Sequence, residues 1–148
     1  MRPSCSCLAN SYRGTTGCVL CAGTRTSAAN SGAITSCVCP ANTYAASGAN
    51  DNTGACTACA SAGAQRTSAA GSVAAASCLC PVNYYGALDN TACTDIDAGK
   101  QGQTSAGDST HVPVGATLQV DCVAGKYSTA GNGPCTDCDA TRTSAVGS

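Results

Sequence analysis

Fourteen cysteines are the residues of this chain best suited to chemistry, and most of them stand in close pairs. Cys-x-Cys pairs, such as Cys37 and Cys39, alternate along the sequence with Cys-x-x-Cys pairs, such as Cys56 and Cys59. Thiols at these spacings serve three kinds of chemistry: tetrahedral zinc binding, thiol–disulfide exchange and structural disulfide bonding. The residues around the pairs distinguish these three uses.

Catalysis finds little support in the rest of the sequence. A nucleophilic Ser or Cys needs a neighbouring base, but His111 is the sole histidine and all eight acidic residues are aspartates. Redox chemistry at Cys-x-x-Cys requires a thioredoxin-like βαβ pattern, which this sequence lacks. We therefore expect no catalytic residues, and we expect His111 to be a surface residue of a Gly-flanked insertion.

The cysteine pairs belong to one frame that recurs four times: Cys-x-Cys, a Tyr five residues later, Cys-x-x-Cys, and Arg-Thr-Ser. We divide the chain into repeat 1 (1–36), repeat 2 (37–77), repeat 3 (78–119, with an insertion over 97–119) and repeat 4 (120–148). Ile96 replaces the fourth cysteine of repeat 3, and Val120 replaces the first cysteine of repeat 4. Repeat 4 is truncated in mid-frame, and we expect it to continue into a further segment. Internal repetition of this kind predicts an array of small modules.

The two missing cysteines constrain the disulfide pairing. If the fourth cysteine of one repeat bonds to the first of the next, the losses at Ile96 and Val120 remove one bond and orphan no thiol. Pairing confined to single repeats leaves two unpaired thiols, which secreted proteins rarely keep. The staggered scheme predicts bonds between repeats and bonds within repeats: Cys21–Cys37 and Cys59–Cys78, then Cys7–Cys18, Cys39–Cys56, Cys80–Cys93 and Cys122–Cys135.

Cys5 and Cys138 remain, at the first and fourth positions of the frame. Appending residue 1 to residue 148 places Cys5 fifteen positions after Cys138, close to the sixteen from Cys21 to Cys37. We therefore expect Cys5 and Cys138 to join neighbouring segments head to tail. The alternative is one long-range bond within the chain, which needs the two Cα atoms within about 7 Å.

Metal binding is the rival use of the cysteines. The losses at Ile96 and Val120 would damage two tetrahedral zinc sites but delete only one disulfide, so we expect no zinc. Thr94-Asp95-Ile96-Asp97 is similar to the opening of calcium-binding EGF modules, but Ala98 and Gly99 stand where Glu and Cys normally follow. We therefore expect neither calcium nor any other cofactor.

The composition explains why disulfides are needed. Leu, Ile, Val and Phe account for 16 of 148 residues, and a chain so poor in apolar side chains would ordinarily be disordered. A disulfide that closes a loop of about 15 residues contributes roughly 3 kcal/mol, so six such bonds replace the missing core. Disulfides persist in oxidising compartments, which predicts an extracellular or cell-surface protein. The net charge of −1 predicts no nucleic-acid partner, and no apolar run is long enough to span a membrane.

Two segments share the pattern Cys-Pro-x-Asn-x-Tyr: Cys39–Tyr44 and Cys80–Tyr85. With the Gly-containing loop before Cys-x-x-Cys, this pattern resembles the ephrin-receptor-like cysteine-rich repeats, and also related surface antigens and fibrous surface proteins of ciliates and other protists. The resemblance implies short β-hairpins strung along an axis, with no catalytic role. We thus expect a small disulfide-rich fold, an elongated tandem array of hairpin and loop modules with little helix and a minimal hydrophobic core.

Further expectations concern the segments between the cysteines. We expect strands around the Tyr positions and over 116–120, where the strand of the insertion takes the place of the missing disulfide. One aromatic per repeat is expected to pack on the disulfides as a miniature core, sugar stacking being the alternative: Tyr12, Tyr44, Tyr85 and Tyr127. The repeated Arg-Thr-Ser, which becomes Gln103-Thr104-Ser105 in repeat 3, is expected to be a solvated turn, or else to pair its Arg with an Asp of another repeat.

Sugar is the expected modification. The chain has 34 Ser and Thr residues but no Asn-x-Ser/Thr sequon, which predicts O-linked glycans and excludes N-linked ones. The candidates are the hydroxyls of the repeated tripeptide: Thr26, Ser27, Thr67, Ser68, Thr104, Ser105, Thr143 and Ser144. Together these observations favour a structural protein, a protomer or tandem segment of an extracellular fibre joined head to tail with itself. The alternative is a recognition segment of a surface antigen or receptor.

Overall fold

The computed structural model describes residues 6–60, 65–106, 110–129, 133–139 and 141–148. Its regular structure within these ranges is almost entirely β, with two three-residue 3₁₀ turns, Ile34–Ser36 and Ala75–Ser77. Each turn directly precedes the first cysteine of a repeat, Cys37 or Cys78. The prediction of a small disulfide-rich fold built from hairpin modules is confirmed.

In the described part of the chain, ten short strands form five antiparallel hairpins, each a separate two-stranded sheet. The pairs are β1 (Ser11–Arg13) with β2 (Cys18–Leu20), β3 (Thr43–Ala45) with β4 (Cys56–Ala58), β5 (Tyr84–Tyr85) with β6 (Thr94–Asp95), β7 (Lys100–Gln103) with β8 (Leu118–Asp121), and β9 (Lys126–Tyr127) with β10 (Thr136–Asp137). Four of them repeat one register, in which the Tyr strand pairs with the strand at or just after the third cysteine of the frame. Isolated two-stranded hairpins are marginal in water, so cross-links must hold these in place.

The Tyr strand of every repeat begins after a residue in the left-handed conformation. Asn10, Asn42 and Asn83 have φ between 64° and 74°, and Gly125 holds the same place in repeat 4 with φ 85°. Asn and Gly tolerate this region better than other residues. The carbonyl of each accepts a hydrogen bond from the N–H of the fourth frame position, as Cys21 donates to Asn10 at 2.9 Å. The Asn of the Cys-Pro-x-Asn-x-Tyr pattern thus turns the chain into the hairpin.

The cysteines form six disulfides in the pattern of the staggered scheme: Cys7–Cys18, Cys21–Cys37, Cys39–Cys56, Cys59–Cys78, Cys80–Cys93 and Cys122–Cys135. Cys138 forms no disulfide within the described part of the chain. Cys5 lies outside the described residues, so the expected bond between Cys5 and Cys138 stays a prediction. Abundant disulfides indicate an oxidising compartment.

The insertion in repeat 3 supplies the longest hairpin, β7–β8, with four residue pairs. The strand that we expected over 116–120 is present as β8, which begins two residues later and ends one residue later. Ile96, at the place of the missing cysteine, is 2 % exposed, and a Cβ built on Gly102 of β7 would lie 2.9 Å from Ile96 Cδ1. A buried aliphatic side chain against a glycine of a paired strand therefore occupies the place of the lost disulfide.

The interior of the fold differs from the expected aromatic core. Among the described residues the buried apolar side chains are eight half-cystines together with Ala45, Ile96 and Ala116. Tyr12, Tyr44 and Tyr85 are half-buried, and Tyr127 is 45 % exposed. None of the four tyrosines belongs to this buried set, so the buried interior is not aromatic, and the expected packing of the rings on the disulfides stays a prediction.

The chain divides into two compact units. The first comprises Met1–Cys59 and Thr67–Cys78, and holds β1 to β4 with four disulfides. The second comprises Ala60–Arg66 and Leu79–Ser148, and holds β5 to β10 with two disulfides. Within the described ranges no helix has the length and apolar character needed to cross a membrane.

Candidate functional site: the arginine sockets

Two arginines of the repeated Arg-Thr-Ser are the largest buried polar side chains among the described residues. Arg25 is 3 % exposed and Arg66 is 0 % exposed, so the expectation of a solvated turn is wrong for both. Each guanidinium enters the loop between the Tyr strand and the third cysteine of the following repeat. We call this arrangement, an arginine held by the hairpin loop of the next repeat, an arginine socket.

The first socket lies within the first compact unit. Arg25 donates hydrogen bonds through both terminal nitrogens to acceptors that all belong to repeat 2: Cys37 O at 3.3 Å, Asn50 Oδ1 at 3.4 Å, Ala49 O at 3.4 Å and Thr53 O at 2.9 Å. Asp51 Oδ1 lies 3.9 Å from Arg25 Nη2. The expected alternative, an Arg that pairs with an Asp of another repeat, is therefore realised at Arg25.

The second socket lies within the second compact unit. Arg66 Nε donates to Thr91 O at 2.5 Å, and Arg66 Nη2 donates to Ala87 O at 2.6 Å. The loop contains Gly86 because space is short: a Cβ there would lie 3.0 Å from Arg66 Nη2 and 3.2 Å from Cys80 Sγ. The guanidinium and a half-cystine of the next repeat thus both border the space beside Gly86.

Both receiving loops contain the tripeptide Asp-Asn-Thr, and its aspartate shapes the turn. Asp51 Oδ1 accepts from Thr53 N at 2.9 Å, and Asp89 Oδ1 accepts from Thr91 N at 3.0 Å. Hydrogen bonds from Thr53 and Thr91 and, to a smaller extent, the charges of Arg25 and Arg66 hold the pKa of each aspartate below its ordinary value. The turn directs the threonine carbonyl at the guanidinium.

The central asparagine of the tripeptide makes a second contact to the preceding repeat. Asn52 Oδ1 accepts from Ala22 N at 2.6 Å, and Asn90 Oδ1 accepts from Ala60 N at 2.7 Å. Ala22 and Ala60 each follow the fourth cysteine of their repeat. Both asparagines have positive φ, 60° and 63°, which Asn adopts more readily than most residues. Each socket therefore binds two groups of the preceding repeat, an arginine side chain and a backbone N–H.

Repeat 4 forms no such socket with repeat 3 within the described residues. Gln103, which stands for Arg in the repeat 3 tripeptide, is buried, but its side-chain oxygen has no hydrogen-bond partner in the part of the chain that the structure describes. A different residue of β7 reaches the repeat 4 hairpin, since Gln101 Oε1 accepts from Cys135 N at 3.2 Å. The frame position of Gln103 is thus not equivalent in structure to Arg25 and Arg66.

Arg142, the last arginine of the frame, has the position of a socket arginine but no receiving loop among the described residues. Its side chain is exposed, although its N–H donates to Asp139 O at 2.8 Å, as Arg25 N does to Ala22 O at 3.2 Å. Beside it lies an open pocket of about 440 Å³, lined by Tyr127, Asp137, Cys138, Asp139, Arg142 and Thr143. The local turn that positions a socket arginine is present, but no loop of the described residues covers it.

The hydroxyls of the tripeptide have two roles. Ser27, Ser68 and Ser144 each donate to a backbone carbonyl of the Tyr strand, at 2.8, 2.9 and 2.6 Å. The threonines are exposed, at positions 26, 67, 104 and 143, and Ser105 is exposed as well. Within repeats 1, 2 and 4 the serine therefore braces the turn, while the threonine faces solvent.

The geometry of the socket supports binding rather than bond making. A guanidinium is a rigid fork of donors that stays protonated, and its partners here are mostly backbone carbonyls. No group of three or more His, Cys, Asp or Glu among the described residues is placed to hold a metal ion.

The sequence carries a signal for the sockets that lies outside the cysteine frame: Asp-Asn-Thr occurs twice, shortly before the third cysteine of repeats 2 and 3.

Removal of a socket arginine should destabilise the fold. Arg66→Ala leaves buried carbonyls without donors and creates a void, so we expect a loss of roughly 2–4 kcal/mol in the free energy of unfolding. Arg66→Lys should retain only part of the stability, because an ammonium cannot form the fork. Arg142→Ala and Arg13→Ala, which truncate exposed arginines, should change it by less than about 0.5 kcal/mol. Urea unfolding of the oxidised proteins measures these differences; equal losses for Arg66→Ala and Arg142→Ala would contradict the socket.

Comparison with known proteins adds no family to this description. No protein-family model matches the chain, and no curated protein or solved structure matches it. The likeness to ephrin-receptor-like repeats therefore stays a hypothesis that rests on the cysteine pattern.

Proposed function

We propose that this chain is a structural, non-catalytic segment of an extracellular fibre, in which segments of this repeat type join head to tail. One observation carries the proposal: the face of repeat 4 that corresponds to the filled contacts of Arg25 and Arg66 is open. Arg142 is exposed and Cys138 is unpaired among the described residues, whereas Cys21 and Cys59, at the same frame position, bond to the next repeat.

The symmetry of the contact supports growth of a filament. An arginine of one repeat enters the loop of the next, so the two partners use different surfaces. Contacts of this heterologous kind do not close by two-fold symmetry, and they propagate into filaments unless the rotation closes a ring. The covalent part of the contact, a disulfide from Cys138 to the first cysteine of the next segment, would make the fibre resistant to detergent.

Native material tests the fibre directly. We expect negative-stain microscopy to show filaments, and we expect them to survive boiling in detergent but to dissolve when a thiol reductant is added. Because only disulfides are cut by the reductant, a matched sample boiled in detergent alone is the control. Isolated particles with Cys138 as a free thiol would contradict the proposal and would favour a recognition segment of a surface antigen or receptor.

We also propose that the fibre carries O-linked sugar on the threonines of the repeated tripeptide. Thr26, Thr67, Thr104 and Thr143 are exposed, and a chain with few charges gains solubility from glycan. The hydroxyls of Ser27, Ser68 and Ser144 donate to backbone carbonyls, so sugar on them would cost a hydrogen bond.

Mass spectrometry of the native protein checks the glycan. Peptides that contain Thr26 or Thr67 should be heavier than their unmodified masses, and fragmentation should place sugar on Thr26 and Thr67 in preference to Ser27 and Ser68. Unmodified masses for all these peptides, or sugar confined to those serines, would refute the proposal.

A further inference from the structure

We propose that the C-terminal face of this chain, formed by Tyr127, Cys138, Asp139, Arg142 and Thr143, binds a further cysteine-rich repeat that carries an open Asp-Asn-Thr loop. This inference rests on the proposed function, since it names the partner through which a fibre would extend. It goes beyond that function because it specifies the chemistry of the partner and excludes a second copy of this chain.

The face holds both donors that a socket requires. In the two filled sockets these donors are the guanidinium and the N–H of the residue after the fourth cysteine, Ala22 or Ala60. In repeat 4 the corresponding donors are Arg142 and Asp139 N, and the turn between them is closed by the hydrogen bond from Arg142 N to Asp139 O at 2.8 Å. The pocket of about 440 Å³ lies beside them.

The partner must supply the matching acceptors. The filled sockets show what these are: the carbonyl of the Thr in Asp-Asn-Thr for the guanidinium, and the side-chain oxygen of the Asn for the backbone N–H. The Asp bonds to the Thr N–H within its own loop and so fixes the turn. A loop without this tripeptide has neither the asparagine acceptor nor the fixed turn.

No repeat of this chain has such a loop free. In repeat 1 only five residues separate Tyr12 from Cys18, none of them Asp or Asn, and the turn is closed by Gly14 N donating to Gly17 O at 2.8 Å. The loops of repeats 2 and 3 already hold Arg25 and Arg66. Repeat 4 has no Asp between Tyr127 and Cys135. The occupant is therefore a repeat outside these 148 residues, not the first repeat of a second copy. In this inference a bond from Cys138 to the first cysteine of that other repeat replaces the expected bond from Cys138 to Cys5 of a second copy.

One residue of the face departs from the filled sockets. Asp139 stands where Ala22 and Ala60 stand in the first two sockets, and its carboxylate accepts from Thr141 Oγ1 at 3.3 Å. The face thus carries a charge that the filled sockets lack at this point. Because the incoming loop also contains an Asp, the variant Asp139→Ala should bind the loop at least as well as the unchanged face.

A covalent extension of the full chain tests the inference. Residues 32–60, with Cys59→Ser, are appended after Ser148, which places the added copy of Cys37 sixteen positions after Cys138, as Cys37 follows Cys21. In the control extension the loop residues 46–55 are replaced by Gly-Thr-Thr-Gly, the loop of repeat 1. Both extensions offer the same cysteine to Cys138, and only the first offers Asp-Asn-Thr.

Two measurements depend on the added loop and not on the added cysteine. We expect hydrogen exchange at Asp139 N, followed by NMR, to be about tenfold slower with the Asp-Asn-Thr loop than with the control loop, as a formed hydrogen bond requires. We expect Arg142→Ala to lower the midpoint of thermal unfolding by about 2–4 °C or more in the first extension, and to leave it unchanged in the control extension and in the chain without extension.

The opposite results overturn the inference. Two results would show that the face does not recognise Asp-Asn-Thr. One is an equal rate of hydrogen exchange at Asp139 N in both extensions. The other is an effect of Arg142→Ala on the unfolding midpoint that is absent or that does not depend on the loop. A Cys138 that remains fully alkylatable in the first extension also contradicts the inference. The reason is that the copied segment, at its original position in the chain, forms a disulfide with Cys21 through Cys37. The extended protein is recombinant, so these outcomes are independent of whether filaments occur in native material, which tests the proposed function.

Discussion

The disulfide that joins the fourth cysteine of one repeat to the first cysteine of the next is the constraint on which the rest of this structure depends. With 16 large aliphatic side chains in 148 residues, hydrophobic contact alone cannot hold one hairpin against another. Cys21–Cys37 brings the end of repeat 1 against the start of repeat 2, and it does so beside Arg25, which donates to the carbonyl of Cys37 itself. Cross-link and arginine therefore act at one place.

The buried guanidiniums carry out what a core would do in a larger protein. A buried charge is costly unless its donors are satisfied. Here most of the acceptors are carbonyls of a loop that Asp-Asn-Thr holds in shape, while Arg25 Nε has no partner among the described residues. The arginine orders a loop that has no buried apolar side chain to anchor it, and the loop in turn shelters the arginine. Recognition between repeats is thus polar and specific in geometry, which suits an array whose modules must pair in sequence and not at random.

Much of this architecture follows from the cysteine frame alone, because two cysteines are lost together. The losses at Ile96 and Val120 favour staggered pairing over pairing within repeats, and the six disulfides of the structure follow that scheme. The Asn of Cys-Pro-x-Asn-x-Tyr and the short strands near the tyrosines can also be recognised in the sequence. The buried state of Arg25 and Arg66 was not predicted, since an arginine in a polar tripeptide is ordinarily exposed and its acceptors lie 12 to 28 residues further along the chain. The strand of the insertion was expected from alternating apolar residues, but the packing of Ile96 on Gly102 was not, because it depends on the register of β7 with β8.

The staggered bonds between repeats can be tested directly on the protein. Peptide mapping of the oxidised protein without reduction, with free thiols blocked before digestion, identifies each bonded pair. We predict that Cys21 is recovered with Cys37 and that Cys59 is recovered with Cys78. Recovery of Cys7 bonded to Cys21, or of Cys39 bonded to Cys59, would confine the bonds to single repeats and would contradict the staggered scheme.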